Sequence, residues 1–139
     1  MDLNYYDTLI AVAEDCPVDR AVVPPGGGKT VAAVQFAMLA ENPGALTQED
    51  VLFETWLRRQ EGLGEPSGAE RAELRERFFA GPRACLRASP LPKRYGWGLL
   101  FDARGRITLC PVESEEYRRI AGGSVPGVTV RRAMRSARR

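Results

Sequence analysis

The spacing of apolar and polar positions divides the chain into a helical part followed by a part with shorter period. Residues 5–13, Tyr-Tyr-Asp-Thr-Leu-Ile-Ala-Val-Ala, are aromatic and aliphatic almost throughout, which predicts a buried strand. Cys16-Pro17 ends it, and Pro24, Pro25 and three consecutive glycines mark residues 17–29 as a loop. Thr30 then serves as the N-cap of a helix whose Val31, Val34 and Met38 share one face, and Asn42-Pro43-Gly44 stops it. Thr47 with Asp50 three residues on has the form of a capping box and opens a second helix, running to about Gln60. Leu52, Phe53, Trp56 and Leu57 form its apolar stripe, and Glu54 and Arg58 are spaced to pair on its outside. Ser67 with Glu70 repeats the capping signature for a third helix, with Leu74 and Phe78 facing inward and Gly81-Pro82 as terminator.

From Arg83 the period falls to two. Arg83, Cys85 and Arg87 alternate with Ala84, Leu86 and Ala88, which predicts a short strand with one polar face. Ser89-Pro-Leu-Pro92 reads as extended or polyproline-like. Residues 95–101 and 106–110 read as strands joined by a hairpin turn at Asp102–Gly105. Ser114 caps a short helix to about Ala121, and Val128–Val130 begins a last strand. Helices precede most strands, so the fold class is α+β, with an antiparallel or mixed sheet covered by about three helices from residues 30–80. The expected organisation is one domain over residues 1–130 and an arginine-rich tail over residues 131–139.

At 139 residues, 44% hydrophobic and 27% charged, the chain has the length of one domain and the apolar content for a real core, unlike a disordered chain. It has no histidine, which removes the Ser-His-Asp triad, the Cys-His dyad, the HExxH zinc helix and every His-ligated metal. Cys16, Cys85 and Cys110 are far apart and form no CxxC, so zinc-ribbon and thioredoxin-type motifs are absent. No carboxylate cluster has metal-site spacing, and no cofactor is expected. No basic residue precedes the first apolar run, and no apolar stretch approaches the ~20 residues that span a bilayer. These features point to a cytoplasmic protein without a membrane partner.

Charge is unevenly placed. Residues 1–76 carry 14 acidic and 6 basic side chains, residues 77–139 carry 4 acidic and 14 basic, and 18 of the 20 cations are arginine. The basic half suits an anionic partner, or the two halves face each other within one fold or across a homo-oligomer. Gly26–Thr30 imitates a phosphate-binding P-loop, but the position of that motif's first glycine holds Val23, and two prolines occupy the loop. What survives is a glycine loop before a helix N-terminus, a weaker anion site.

The densest chemistry lies in residues 83–97, where Arg83, Arg87, Lys93 and Arg94 accompany Tyr95, Trp97 and Cys85. Cations beside flat aromatic faces suit phosphate and base together, which points to a nucleotide or nucleic acid. Gly96 and Gly98 permit close approach of a ligand or of another backbone. Cys85, between two arginines on the expected strand, is the best candidate for a reactive thiol, against the alternative of a buried inert one.

The blocks Ala13–Pro17, Asp50–Phe53, Cys85–Gly98, Val112–Tyr117 and Ala133–Ser136 give the chain a resemblance to an uncharacterised bacterial family, domain of unknown function 6157. The resemblance implies a single-domain bacterial cytosolic protein and carries over no activity, cofactor or catalytic residue. The leading functional expectation is a binding module for an anionic ligand, using Arg83, Arg87, Lys93, Arg94, Tyr95 and Trp97. The alternatives are a small enzyme using Cys85 or a carboxylate in the same groove, and a homo-oligomeric interaction protein with no small ligand.

Overall fold

Four strands are hydrogen-bonded in the order β3-β2-β1-β4 in the computed structural model, which describes residues 3–26 and 28–137. β1 (Thr8–Ala11) runs antiparallel to β2 (Trp97–Phe101) and parallel to β4 (Thr129–Arg132), and β2 and β3 (Ile107–Pro111) form the expected hairpin. The sheet is therefore mixed and the fold α+β. β1 is shorter than its apolar run because Asp7 adopts φ 45°, a left-handed conformation that short polar side chains tolerate better than most.

Helices cover both faces. α1 (Val31–Glu41), α2 (Gln48–Arg58) and α4 (Pro90–Arg94) lie on one side, where Met38, Leu39, Val51 and Leu91 close over Ile10, Leu99, Phe101 and Ile107. α5 (Glu115–Ala121) lies on the other, where Tyr117 and Ile120 pack on Leu9, Ala11 and Cys110. Alternate residues of β1 serve the two cores, as the pleat requires. α3 (Gly68–Ala80) buries only Phe78 among its own residues, in an aromatic cluster with Phe53 and Leu57 of α2.

Caps fix the helix starts where the sequence put them. The Oγ atoms of Thr30, Thr47, Ser67 and Ser114 each accept from the backbone N–H three residues on, and the boxes at Thr47–Asp50 and Ser67–Glu70 are complete in both directions. One surface pairing differs from expectation: Glu54 pairs with Arg71 of α3 and thereby ties the two helices together, while Glu73 and Arg77 do pair along α3.

Segment 83–94 departs from the expected strand. Arg83–Cys85 is a loop, Leu86–Ala88 a 3-10 turn, and Ser89 the N-cap of α4, its Oγ accepting from Leu91 N. Pro90 and Pro92 sit in the first turn, whose N–H groups have no intrahelical partner, so proline costs nothing there. β4 continues to Arg132, past the start of the segment read as a tail, and Ala133 is buried in the main core. Arg135 pairs with Glu14, and Asp15 accepts from the N–H groups of Ser136 and Ala137. Arg138 and Arg139 lie outside the described residues.

Candidate ligand-binding site

The irregular path of residues 83–97 separates the side chains that the sequence grouped. Tyr95 is the C-cap of α4, and Gly96 at φ 79° turns the chain sharply into β2. The indole N–H of Trp97 donates to Val22 O at 2.8 Å, and its ring packs on Phe36 at 5.2 Å between centroids. Trp97 is thus a half-buried post that holds the 18–24 loop, which Val22 N also anchors by donating to Tyr95 O. The two glycines are approached by the protein itself. A Cβ at Gly96 would lie 3.0 Å from Arg20 O, and one at Gly98 would lie 2.9 Å from the Tyr117 ring.

The cations diverge as well. Arg83 lies over the Phe78 ring, 3.9 Å from its centroid, while its Nε donates to Phe78 O. The Nε of Arg87 donates to Arg132 O at 2.7 Å, so this residue faces β4. Lys93 and Arg94 occupy the last turn of α4, with Arg94 exposed. Arg83 and Cys85, with Arg87 nearby, meet a group that the linear reading did not include. Tyr5 donates its hydroxyl to Cys85 Sγ at 3.5 Å, and the ring of Tyr5 stands edge-on to Phe101.

These residues line a cavity of about 300 Å³ formed by Leu3, Asn4, Tyr5, Gln48, Leu52, Arg83 and Cys85. Its frame is built from hydrogen bonds between distant segments. Gln48, 2% exposed, accepts from Leu86 N at 2.8 Å through Oε1 and donates to Leu3 O through Nε2. Leu3 N donates to Glu49, and Asn4 Oδ1 accepts from Glu49 N at 2.9 Å. The N-terminal segment therefore completes the capping of α2 from outside it, satisfying an N–H that the helix cannot. Burial raises the Tyr5 hydroxyl above its ordinary range, and the bond and proximity to Cys85 raise it further; Arg87 and Arg131 oppose this. Tyr5 therefore stays a neutral donor at neutral pH, with the positive field of two arginines upon it. The cavity offers hydroxyl, thiol, amide and guanidinium groups beside an aromatic ring, donors whose chemistry is complementary to an anion with a flat or apolar part.

A larger cleft of about 530 Å³ lies where Lys29, Arg58 and Arg71 mix with Glu54 and Glu65. Its charges partly cancel, since Glu54 already holds Arg71. Among the described residues the glycine loop beside Lys29 shows no phosphate cradle, since Lys29 O is taken by Arg59 Nε and the Thr30 hydroxyl caps α1; Gly27 lies outside the described residues. Tyr5 and Gln48 were missed by sequence reasoning because they lie on elements remote from residue 83, and Gln48, the first residue of α2 among the polar residues of its cap, gives no local signal of burial.

Among the described residues, no group of His, Cys, Asp or Glu has the arrangement of a metal site, and no helix is long and apolar enough to cross a membrane. Comparison with curated proteins finds no match, and comparison with solved structures finds none. The whole of the chain, residues 1–139, fits the sequence model of a family of unknown function (DUF6157), and it is to this family that the protein belongs.

Proposed function

We propose that the protein is a non-enzymatic binding module of the cytosol whose ligand is a small anion carrying an aromatic or apolar group, with a mononucleotide as the leading class. The observation that carries this reading is the cavity in which Tyr5, Gln48, Arg83 and Cys85 converge, within the field of Arg87 and Arg131. Its volume of about 300 Å³ favours a single nucleotide over a nucleic acid strand, since small-ligand pockets start near this size. The guanidinium nitrogens of Arg83 not bound to Phe78 O would take the anionic group, and the Tyr5 ring would face the flat part. Lys93, Arg94, Tyr95 and Trp97 leave the binding set in this reading, because they belong to α4 and to the anchored 18–24 loop. Three unpaired cysteines suit the cytosol.

The test is thermal unfolding against mononucleotides, phosphate, simple carboxylates and short oligonucleotides at low and high salt, since a ligand of the native state raises the midpoint by mass action. A saturable rise with one class, lost in Arg83→Gln and kept in Arg94→Ala, supports the site. A rise lost in Arg94→Ala and kept in Arg83→Gln refutes it.

A second reading, thiol chemistry, has one observation in its favour: Cys85 Sγ sits at the wall of the same cavity with a hydroxyl donor upon it. Selective alkylation of Cys85 at neutral pH, unaffected by any anion, would favour this second reading.

A further inference from the structure

The two outer edges of the sheet are finished differently. At β3 the chain covers the start of its own edge. Gly44 N donates to Ile107 O, Ile107 N donates to Leu46 O, and Thr47 bridges to Arg106. At β4 every residue from Thr129 to Arg132 is exposed. Thr129 N donates to Asp7 O, and Ala133 N donates to Ala11 O, so the odd-numbered residues spend their backbone groups on β1. In a parallel pair these directions alternate, which turns the N–H and C=O of Val130 and the N–H of Arg132 outward. Among the described residues, the bonds on the outer side of this edge lie at its C-terminal end. There Met134 N donates to Arg87 O, and the side-chain Nε of Arg87 donates to Arg132 O, so Arg87 of the 3-10 turn closes that end of the edge.

We propose that β4 is a docking edge for a short extended acidic peptide, which adds as a fifth strand beside Thr129–Arg132 and ends against Arg87. The occupant follows from charge and pleat. Arg131 shares the face of Ile10, and Arg132 shares the face of Ala11 with its Nη1 donating to Val12 O at 3.3 Å, so the edge carries a cation on each side. Val130, 37% exposed, precedes them, two residues before Arg132 on the same face, and offers a small apolar contact. A strand with an apolar residue opposite Val130 and carboxylates opposite the arginines matches both. Backbone bonds supply affinity and the alternating side chains supply selectivity, as in other strand-addition modes. A second copy of β4 is a poor occupant, because its own arginines would be brought against these; charged edges block such self-pairing.

The experiment uses the full chain and fluorescent capped hexapeptides that hold Val-Glu-Glu or, for the opposite strand direction, Glu-Glu-Val, read by anisotropy. Saturable binding is expected, with at least a tenfold loss when Lys replaces Glu and at least a tenfold loss when alternate amides of the peptide are N-methylated in either register. Val130→Pro is expected to cost tenfold as well. That N–H faces away from β1, so proline removes no ladder bond, and circular dichroism reports whether the variant stays folded. Should it unfold, the N-methylated peptide decides the matter on the wild-type protein. Absence of saturable binding overturns the proposal, as does equal binding of the N-methylated peptide. Tighter binding of an oligothymidylate that ignores Val130→Pro overturns it in favour of nucleic acid, and a dimer abolished by Val130→Pro overturns it in favour of self-pairing. Nucleotide binding in the Tyr5–Cys85 cavity persists in Val130→Pro, so the two readings fail separately.

Discussion

Gln48 is the residue on which the frame of the cavity most depends, and replacing it by leucine tests that dependence. Leucine has similar bulk and favours the helix, so neither packing volume nor helix propensity changes much. What changes is that Leu86 N and Leu3 O lose their partners together. Leu86 is 1% exposed, so its N–H is stranded away from water and costs about 1–3 kcal/mol. Leu3 is only half-buried and its carbonyl regains some solvation, adding up to about 1 kcal/mol. The sum is about 1–4 kcal/mol, or a fall in Tm of about 3–16 °C for a domain of this length. Urea unfolding by far-UV circular dichroism should give the same loss with an unchanged m-value. Gln48→Glu keeps the acceptor for Leu86 N, and its protonated hydroxyl replaces the donor to Leu3 O, whereas ionisation sets a carboxylate oxygen against that carbonyl. Its carboxyl is held neutral by burial, so its folded-state pKa is raised, and the deficit against wild type widens as pH rises through the carboxylate range. A Gln48→Leu variant within about 2 °C of wild type, the scatter of an ordinary surface change, would refute the assigned role.

Other expected outcomes follow from the opposite face of the sheet and from the loops. Gly98→Ala places a Cβ 2.9 Å from the Tyr117 ring and 3.1 Å from Cys110 O, and calorimetry should show a loss of ~1–3 kcal/mol from overpacking. Tyr117→Phe strands the buried Val12 N–H that donates to the hydroxyl at 2.9 Å, costing about 1–2 kcal/mol. Burial holds the Tyr117 hydroxyl above its ordinary value of 10.0, so its stabilisation is complete below pH 10.0 and is lost as pH rises further. The gap between wild type and Tyr117→Phe therefore closes in an alkaline Tm series. The N–H of Ala21 donates to Glu113 at 2.8 Å and holds its carboxyl below the ordinary 4.5. The associated stability is present above pH 4.5 and lost as pH falls through the lowered value, so Glu113→Gln flattens the acid limb of the Tm profile. Trp97→Phe keeps the ring contact with Phe36 but releases Val22 O, and faster proteolysis within residues 17–25 with unchanged nucleotide binding should result.

Local signals carried most of the element map. Thr47–Asp50 and Ser67–Glu70 are legible because cap and N3 residue lie within one turn of each other, and the 102–105 hairpin because its turn residues are consecutive. The strand expected at 83–88 failed because alternation over six residues is also what a loop leading into a 3-10 turn presents. Ser89-Pro-Leu-Pro92 reads as extended only while the helix-starting role of Ser and Pro is overlooked. Parallel pairing of β1 with β4 joins residues some 120 positions apart and leaves no local trace. The site suffered most for the same reason. Arg83 and Cys85 do line a cavity, but their companions Tyr5 and Gln48 arrive through tertiary hydrogen bonds, while Tyr95 and Trp97, adjacent in sequence, are turned elsewhere by Gly96.

The most direct measurement of a ligand site at the Tyr5–Cys85 cavity is the alkylation rate of each cysteine, resolved by peptide mass spectrometry, with and without a saturating mononucleotide. Cys85 lines the cavity, Cys110 is buried beneath α5, and Cys16 lies away from it, so the last two serve as internal references. Selective slowing at Cys85, by tenfold or more and absent in Arg83→Gln, is the predicted result. Equal rates at Cys85 with and without a nucleotide that demonstrably raises Tm would place the anion elsewhere and contradict the assignment.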